Sequence, residues 1–149
     1  MVPSRAVCAA ALLAAALTGP AAAQPPEHWI AASKTAMSIT GNVRFSPTRI
    51  TFSTGAWLPL RFVGTVGGLT WLPGDDGTAP ADLYRITKPQ NPSLVSGNGL
   101  CGAKALTWLS VARKNGEIFL TLYDVDALPT PKPDVSCAGY SYDPRKLGK

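Results

Sequence analysis

One histidine, His28, is all that this chain offers for imidazole chemistry. It follows Pro25 and Pro26 in a stretch that reads as a loose N-terminal leader. A catalytic triad needs its histidine within hydrogen-bond reach of a nucleophile and oriented by a third group, which such a leader does poorly. Carboxylates come in two local sets, Asp75-Asp76 and Asp124 with Asp126. The alternating pair could contribute to calcium binding, but the rest of an EF-hand loop is missing, and Asp75-Asp76-Gly77 has the composition of an ordinary turn. Two carboxyls acting on a glycosidic bond must face each other across a cleft at a defined separation, and sequence spacing does not place these in one cleft. Gly97, Gly99 and Gly102 are followed by no helix and no Gly-Lys-Ser or Gly-Lys-Thr, so they do not form a phosphate loop. The expectation is no catalytic residue, no metal site and no cofactor.

Cysteines give the clearest structural chemistry. Cys8, Cys101 and Cys137 are the three in the chain. Cys8 lies in an N-terminal segment where Arg5 precedes an uncharged Ala- and Leu-rich run, 6–18, ending in Gly19, Pro20 and Ala21-Ala22-Ala23. That pattern reads as a secretory signal peptide cut after Ala23, because its apolar run falls short of the roughly 20 residues needed to cross a bilayer. Removing residues 1–23 leaves Cys101 and Cys137 in an oxidising compartment, where an even count implies pairing. A disulfide Cys101–Cys137 is expected, and no Cys-x-x-Cys pair suggests a redox role. The protein is expected to be periplasmic or secreted.

The formal net charge of +5 falls to +4 with the loss of Arg5, and the remaining basic residues are scattered, apart from Arg145, Lys146 and Lys149 in the tail. Scattered charge argues against nucleic acid as a partner. No later segment is long and apolar enough for a membrane-spanning helix.

These groups must be positioned by strands. Residues 37–45 alternate, with Met37, Ile39, Val43 and Phe45 on one side, as a half-buried strand does. Further strands are expected at 49–53, at 58–66 with Pro59 marking an edge or bulge, at 81–87, and at 137–142 with Tyr140 and Tyr142 on one face. The strongest pair is 106–113 and 117–124, joined at Asn115-Gly116, the dipeptide favoured in type I′ hairpins. Glycines at 97, 99 and 102 suggest backbone with positive φ around Cys101. About seven short strands without an amphipathic helix predict an all-β domain, a small antiparallel β-barrel or alternatively a β-sandwich. The expected organisation is a signal peptide (1–23), a leader (24–36), a β domain (37–143) and a basic tail (144–149).

Three stretches together resemble a group of uncharacterised exported proteins of proteobacteria. They are Met37-Ser38-Ile39-Thr40-Gly41-Asn42 with Leu58-Pro59-Leu60; Leu83-Tyr84-Arg85-Ile86 with Pro89, Asn91 and Pro92; and Gly97-Asn98-Gly99-Leu100-Cys101-Gly102 with Cys137-Ala138-Gly139-Tyr140-Ser141-Tyr142. The resemblance implies export and the disulfide, and brings no activity with it.

The function this predicts is a non-enzymatic extracytoplasmic binding module, with an inhibitor of a secreted hydrolase as one version and a structural cell-envelope accessory protein as the alternative. The 67–80 stretch carries Leu69, Trp71 and Leu72, and long loops on rigid scaffolds often carry function. Trp71 folded back as a lid on the core is the competing reading. Leu69, Trp71, Leu72, Tyr140 and Tyr142 are therefore the candidate contacts for an unknown protein or a small apolar ligand.

Overall fold

The structure is a computed structural model, and it describes residues 23–69, 79–129 and 135–144. Residues 1–22 of the segment expected to be a signal peptide, Trp71, Leu72, Asp75, Asp76 and the basic residues of the tail lie outside the described residues. Eight strands run in chain order: β1 (Glu27–Ala31), β2 (Val43–Ser46), β3 (Arg49–Thr51), β4 (Trp57–Gly67), β5 (Pro80–Gln90), β6 (Leu106–Lys114), β7 (Glu117–Tyr123) and β8 (Ala138–Pro144). Each pairs antiparallel with the next, and β1 pairs with β8, so the sheet closes into an up-and-down barrel. Closure removes most of the sheet edges that an open sandwich would leave to be protected, and leaves β4 beyond Leu60 paired on one side only.

The eighth strand is β1, in the segment expected to be a leader. Trp29 explains its order: the indole is fully buried, stacked on Phe45 at 4.5 Å between centroids and tilted against Tyr142 at 5.7 Å. A buried Trp can fix a five-residue strand that has little propensity of its own.

The expected strand over 37–45 splits. Only Val43–Ser46 is extended, and Ala36–Thr40 forms one π-helical turn. Local side-chain bonds outweigh the period-two pattern. The Ala36 amide donates to Ser33 Oγ at 3.1 Å, the Thr40 hydroxyl bonds Ala36 O at 3.1 Å, and Ala36 and Thr40 are buried while Met37 points to solvent.

The β6–β7 hairpin turns through Asn115 and Gly116 at φ 53° and 81°, both positive as a type I′ turn requires. Pro59 sits where β4 is still paired with β3; pairing with β5 begins one residue later, at Leu60↔Ile86, and the bulge in β4 falls at Val63. A disulfide joins Cys101, ahead of β6, to Cys137, ahead of β8, with the Cα atoms 5.5 Å apart. Around it Gly97 and Gly102 take positive φ, whereas Gly99 serves close approach, since a Cβ there would lie 2.5 Å from Gly102 O.

Two apolar clusters result. One fills the barrel with Trp29, Phe45, Ile50, Leu58, Tyr84, Ile86, Leu109, Leu120, Leu122, Tyr142 and their neighbours. The other covers the outer wall of β5, β6 and β7 with Leu69, Ala81, Leu83, Trp108, Ala112 and Tyr123.

Candidate binding surface

Whether this barrel holds a ligand inside is decided by its lining. Trp29, Ile50, Leu58, Ile86, Leu106, Leu109, Leu120, Leu122 and Tyr142 each have 0 % exposure. A side chain with no accessible area borders neither solvent nor a hole large enough for water, so the interior is packed at the density of an ordinary core.

Tyr140 and Tyr142 share a face, as their spacing predicted, but that face is the inside of the barrel. They are 4 % and 0 % exposed and offer no contact surface. Their hydroxyls are spent on structure: Tyr142 Oη pairs with Thr40 Oγ1 at 2.7 Å, and Tyr140 donates to Leu100 O at 3.1 Å, beside the disulfide. Burial pushes the Tyr140 phenol up to about 12. It raises Tyr142 further, against the opposing hydrogen bond from Thr40. Burial, reinforced by the nearby Asp82 charge, also pushes Tyr84 up to about 12.

Leu69, the one candidate in the 67–80 stretch that is described, is 2 % exposed and packs on the outer wall. Its carbonyl accepts hydrogen bonds from Ser110 Oγ and Tyr123 Oη, which strap this part of the chain to β6 and β7. Leu69 is thus a fastening point rather than a contact. Burial raises the Tyr123 phenol, with the Ser110 hydrogen bond acting the other way.

What the molecule does expose lies in β4. Beyond Leu60 this strand leaves β3 and continues with β5 alone, and residues 61–67 are exposed apart from the half-buried Gly64. Phe62, Val63 and Val66 are 50 %, 45 % and 37 % exposed there. The Phe62 ring rests edge-on against Tyr84 at 5.5 Å, so its free side is presented by a buried aromatic base. Phe62 shares the face of Leu58 and Leu60 and lies on the Tyr84 side, yet half of it is exposed. The sequence carried no signal for this, because 37–45 read as a strand as long as 58–66, whereas β2 is only Val43–Ser46 and β3 pairs with β4 no further than Arg49↔Pro59.

On the outer wall, Arg61, Arg85, Trp108 and Tyr123 are successive cross-strand partners on β4, β5, β6 and β7. The Arg85 guanidinium lies 4.6 Å from the Trp108 ring centroid. Two donors in this row, Arg85 Nη1 and Trp108 Nε1, are buried without a hydrogen-bond partner.

His28 lies on β1 and lines a shallow open cavity of about 380 Å³ with Asn42, Arg44, Thr51 and Ser53 among others. The Asp124 carboxylate faces Lys104 at 3.5 Å, a use that needs no cation. Among the described residues no group of three or more His, Cys, Asp and Glu side chains could hold a metal ion, and no helix is long and apolar enough to cross a membrane.

Fold and surface together define a solid-cored, disulfide-closed, eight-stranded up-and-down barrel. Compared with known proteins, the chain matches no family model, no curated protein and no solved structure.

Proposed function

We propose that the protein is a non-enzymatic extracytoplasmic binding module, exported by a cleaved signal peptide, that meets a protein partner through the exposed stretch of β4 beyond β3. The observation that carries this reading is the exposure of Phe62, Val63 and Val66 on a strand whose backbone is held by β5 and whose base is packed on the barrel. Apolar side chains on a rigid strand suit recognition, since little conformational freedom is lost on binding. The packed interior supports contact from outside over a small ligand held within. An inhibitor of a secreted hydrolase is the concrete form of this proposal, by analogy at the level of fold only.

The test is capture of proteins from the host's cell-envelope extract by wild type and by Phe62→Ser/Val66→Ser, followed by titration of the purified partner. The variant should keep the wild-type melting temperature and bind at least about tenfold more weakly, the scale of one buried aromatic anchor. Equal binding by the two proteins contradicts the proposal.

A further inference from the structure

We propose that Arg61, Arg85 and Trp108 form an oxyanion-binding site on the outer wall of the barrel, separate from the apolar patch of Phe62, Val63 and Val66 and not dependent on it. Three observations converge on it. Arg61 and Arg85 are direct cross-strand partners, so two guanidiniums emerge side by side from one face of β4 and β5. Like charges in that position repel unless something negative lies between them. The ion pairs given by the described residues are Lys104–Asp124 and Arg113–Glu27, and neither involves Arg61 or Arg85.

The second observation is the pair of orphaned donors. Arg85 Nη1 and Trp108 Nε1 are both buried and unpartnered, and Trp108 is only 8 % exposed. Buried polar atoms in native proteins nearly always have partners, so each orphan calls for an acceptor. The guanidinium sits over the indole ring, 4.6 Å from its centroid, so the two side chains that carry the orphaned donors are in direct contact.

The third is the chemistry of the set. Guanidinium and indole N–H groups donate only. The neighbouring hydroxyls, Ser110 Oγ and Tyr123 Oη, donate to Leu69 O, and neither accepts from Arg85 Nη1 or Trp108 Nε1. A sugar or an amide would leave its own donors unmet here, whereas a group made of acceptors, a carboxylate or a phosphate, satisfies every member. Arginine's fork is suited to both. The exposed Arg61 and the half-buried Arg85 leave the approach open from the β4 side.

The test follows the Trp108 indole N–H by NMR as inorganic phosphate, and separately succinate, is added to the purified protein at constant ionic strength. A saturable shift with either anion is expected and tells which chemistry the site takes. Arg61→Gln, an exposed position, should weaken binding about tenfold, as loss of one charge-assisted hydrogen bond does. Trp108→Phe keeps the ring and removes the donor; it should abolish the rise in melting temperature that the bound anion gives the wild type. Arg44→Gln, on β2, should change neither. Absence of saturation with both anions, or equal affinity in wild type and Arg61→Gln, overturns the proposal. So does an indole resonance that moves in Asp75→Asn/Asp76→Asn with no anion added, which would make the chain's own carboxylate the acceptor.

Discussion

The inside of the barrel and the outer wall over β5, β6 and β7 are both apolar, both buried, and both crossed by polar side chains, yet they treat those polar groups differently. Inside, the phenols of Tyr140 and Tyr142 each reach a partner, one on the backbone beside the disulfide and one on Thr40. Outside, Ser110 and Tyr123 are satisfied by Leu69 O, while two donors of Arg85 and Trp108 are left over. A core with its polar groups paired has one arrangement and no use beyond holding it. A wall that keeps unpaired donors beneath a partly open surface gives up stability, and sites of that kind are where function is found. The contrast teaches that unmet polar groups collect on the exterior of the barrel, which is why the proposed binding surfaces are placed there.

The largest effect that could break this contrast comes from the inside. Trp29→Ala removes a fully buried indole packed on Phe45 and Tyr142 and should destabilise by about 5 kcal/mol, the upper end for loss of a core aromatic. Denaturant unfolding measures it, and a loss below about 2 kcal/mol would mean that the interior tolerates space. Next is Cys101→Ser/Cys137→Ser. A crosslink between cysteines 36 positions apart contributes about 4 kcal/mol by restricting the unfolded chain, so the unfolding midpoint should fall accordingly. An unchanged midpoint would remove the disulfide from the account of stability.

Alkaline pH sharpens the comparison through the buried phenols. Tyr84 and Tyr140 have folded values raised from 10.0 to about 12. Below pH 10 both are neutral in either state and their contribution is fully present. As pH rises from 10 towards 12 the unfolded chain ionises first, so stability falls across that window. Tyr140→Phe should make the fall shallower; an unchanged slope would mean that this phenol is not held neutral by burial. A smaller effect belongs to Tyr142→Phe, which removes one buried hydrogen bond while Thr40 keeps Ala36 O, at a cost of about 1 kcal/mol. Smallest is Phe62→Ser at the exposed end of β4, which should alter stability by less than about 0.5 kcal/mol. A large loss there would show Phe62 to be part of the core rather than a surface built on it.

Much of this architecture could be read from local signals. Asn115-Gly116 announces its turn because only a residue tolerant of positive φ followed by glycine closes a two-residue hairpin, and Cys101 and Cys137 announce their bond by being the only two left after the expected cleavage. The period of Tyr140 and Tyr142 was legible too, but not its direction, since alternation says that two residues share a face and not which face is inside. β1 escaped because five residues behind two prolines carry almost no propensity signal, and its order comes from what Trp29 meets across the barrel. The π-turn at Ala36–Thr40 escaped because Ser33 and Thr40 cap it through side chains that a hydropathy pattern does not weigh. The Arg61, Arg85 and Trp108 row was invisible for a further reason. Register between strands is set over the whole barrel, and the bulge at Val63 shows how one residue changes which side chains become neighbours.

The claim that the barrel is solid and recognises from outside is tested most directly by xenon, which enters apolar cavities that water leaves empty. Methyl resonances of Leu109, Leu120 and Leu122, all with 0 % exposure, should show no saturable shift as xenon pressure rises. Saturation at these methyls would reveal a cavity at the centre of the barrel and move the binding site to the inside.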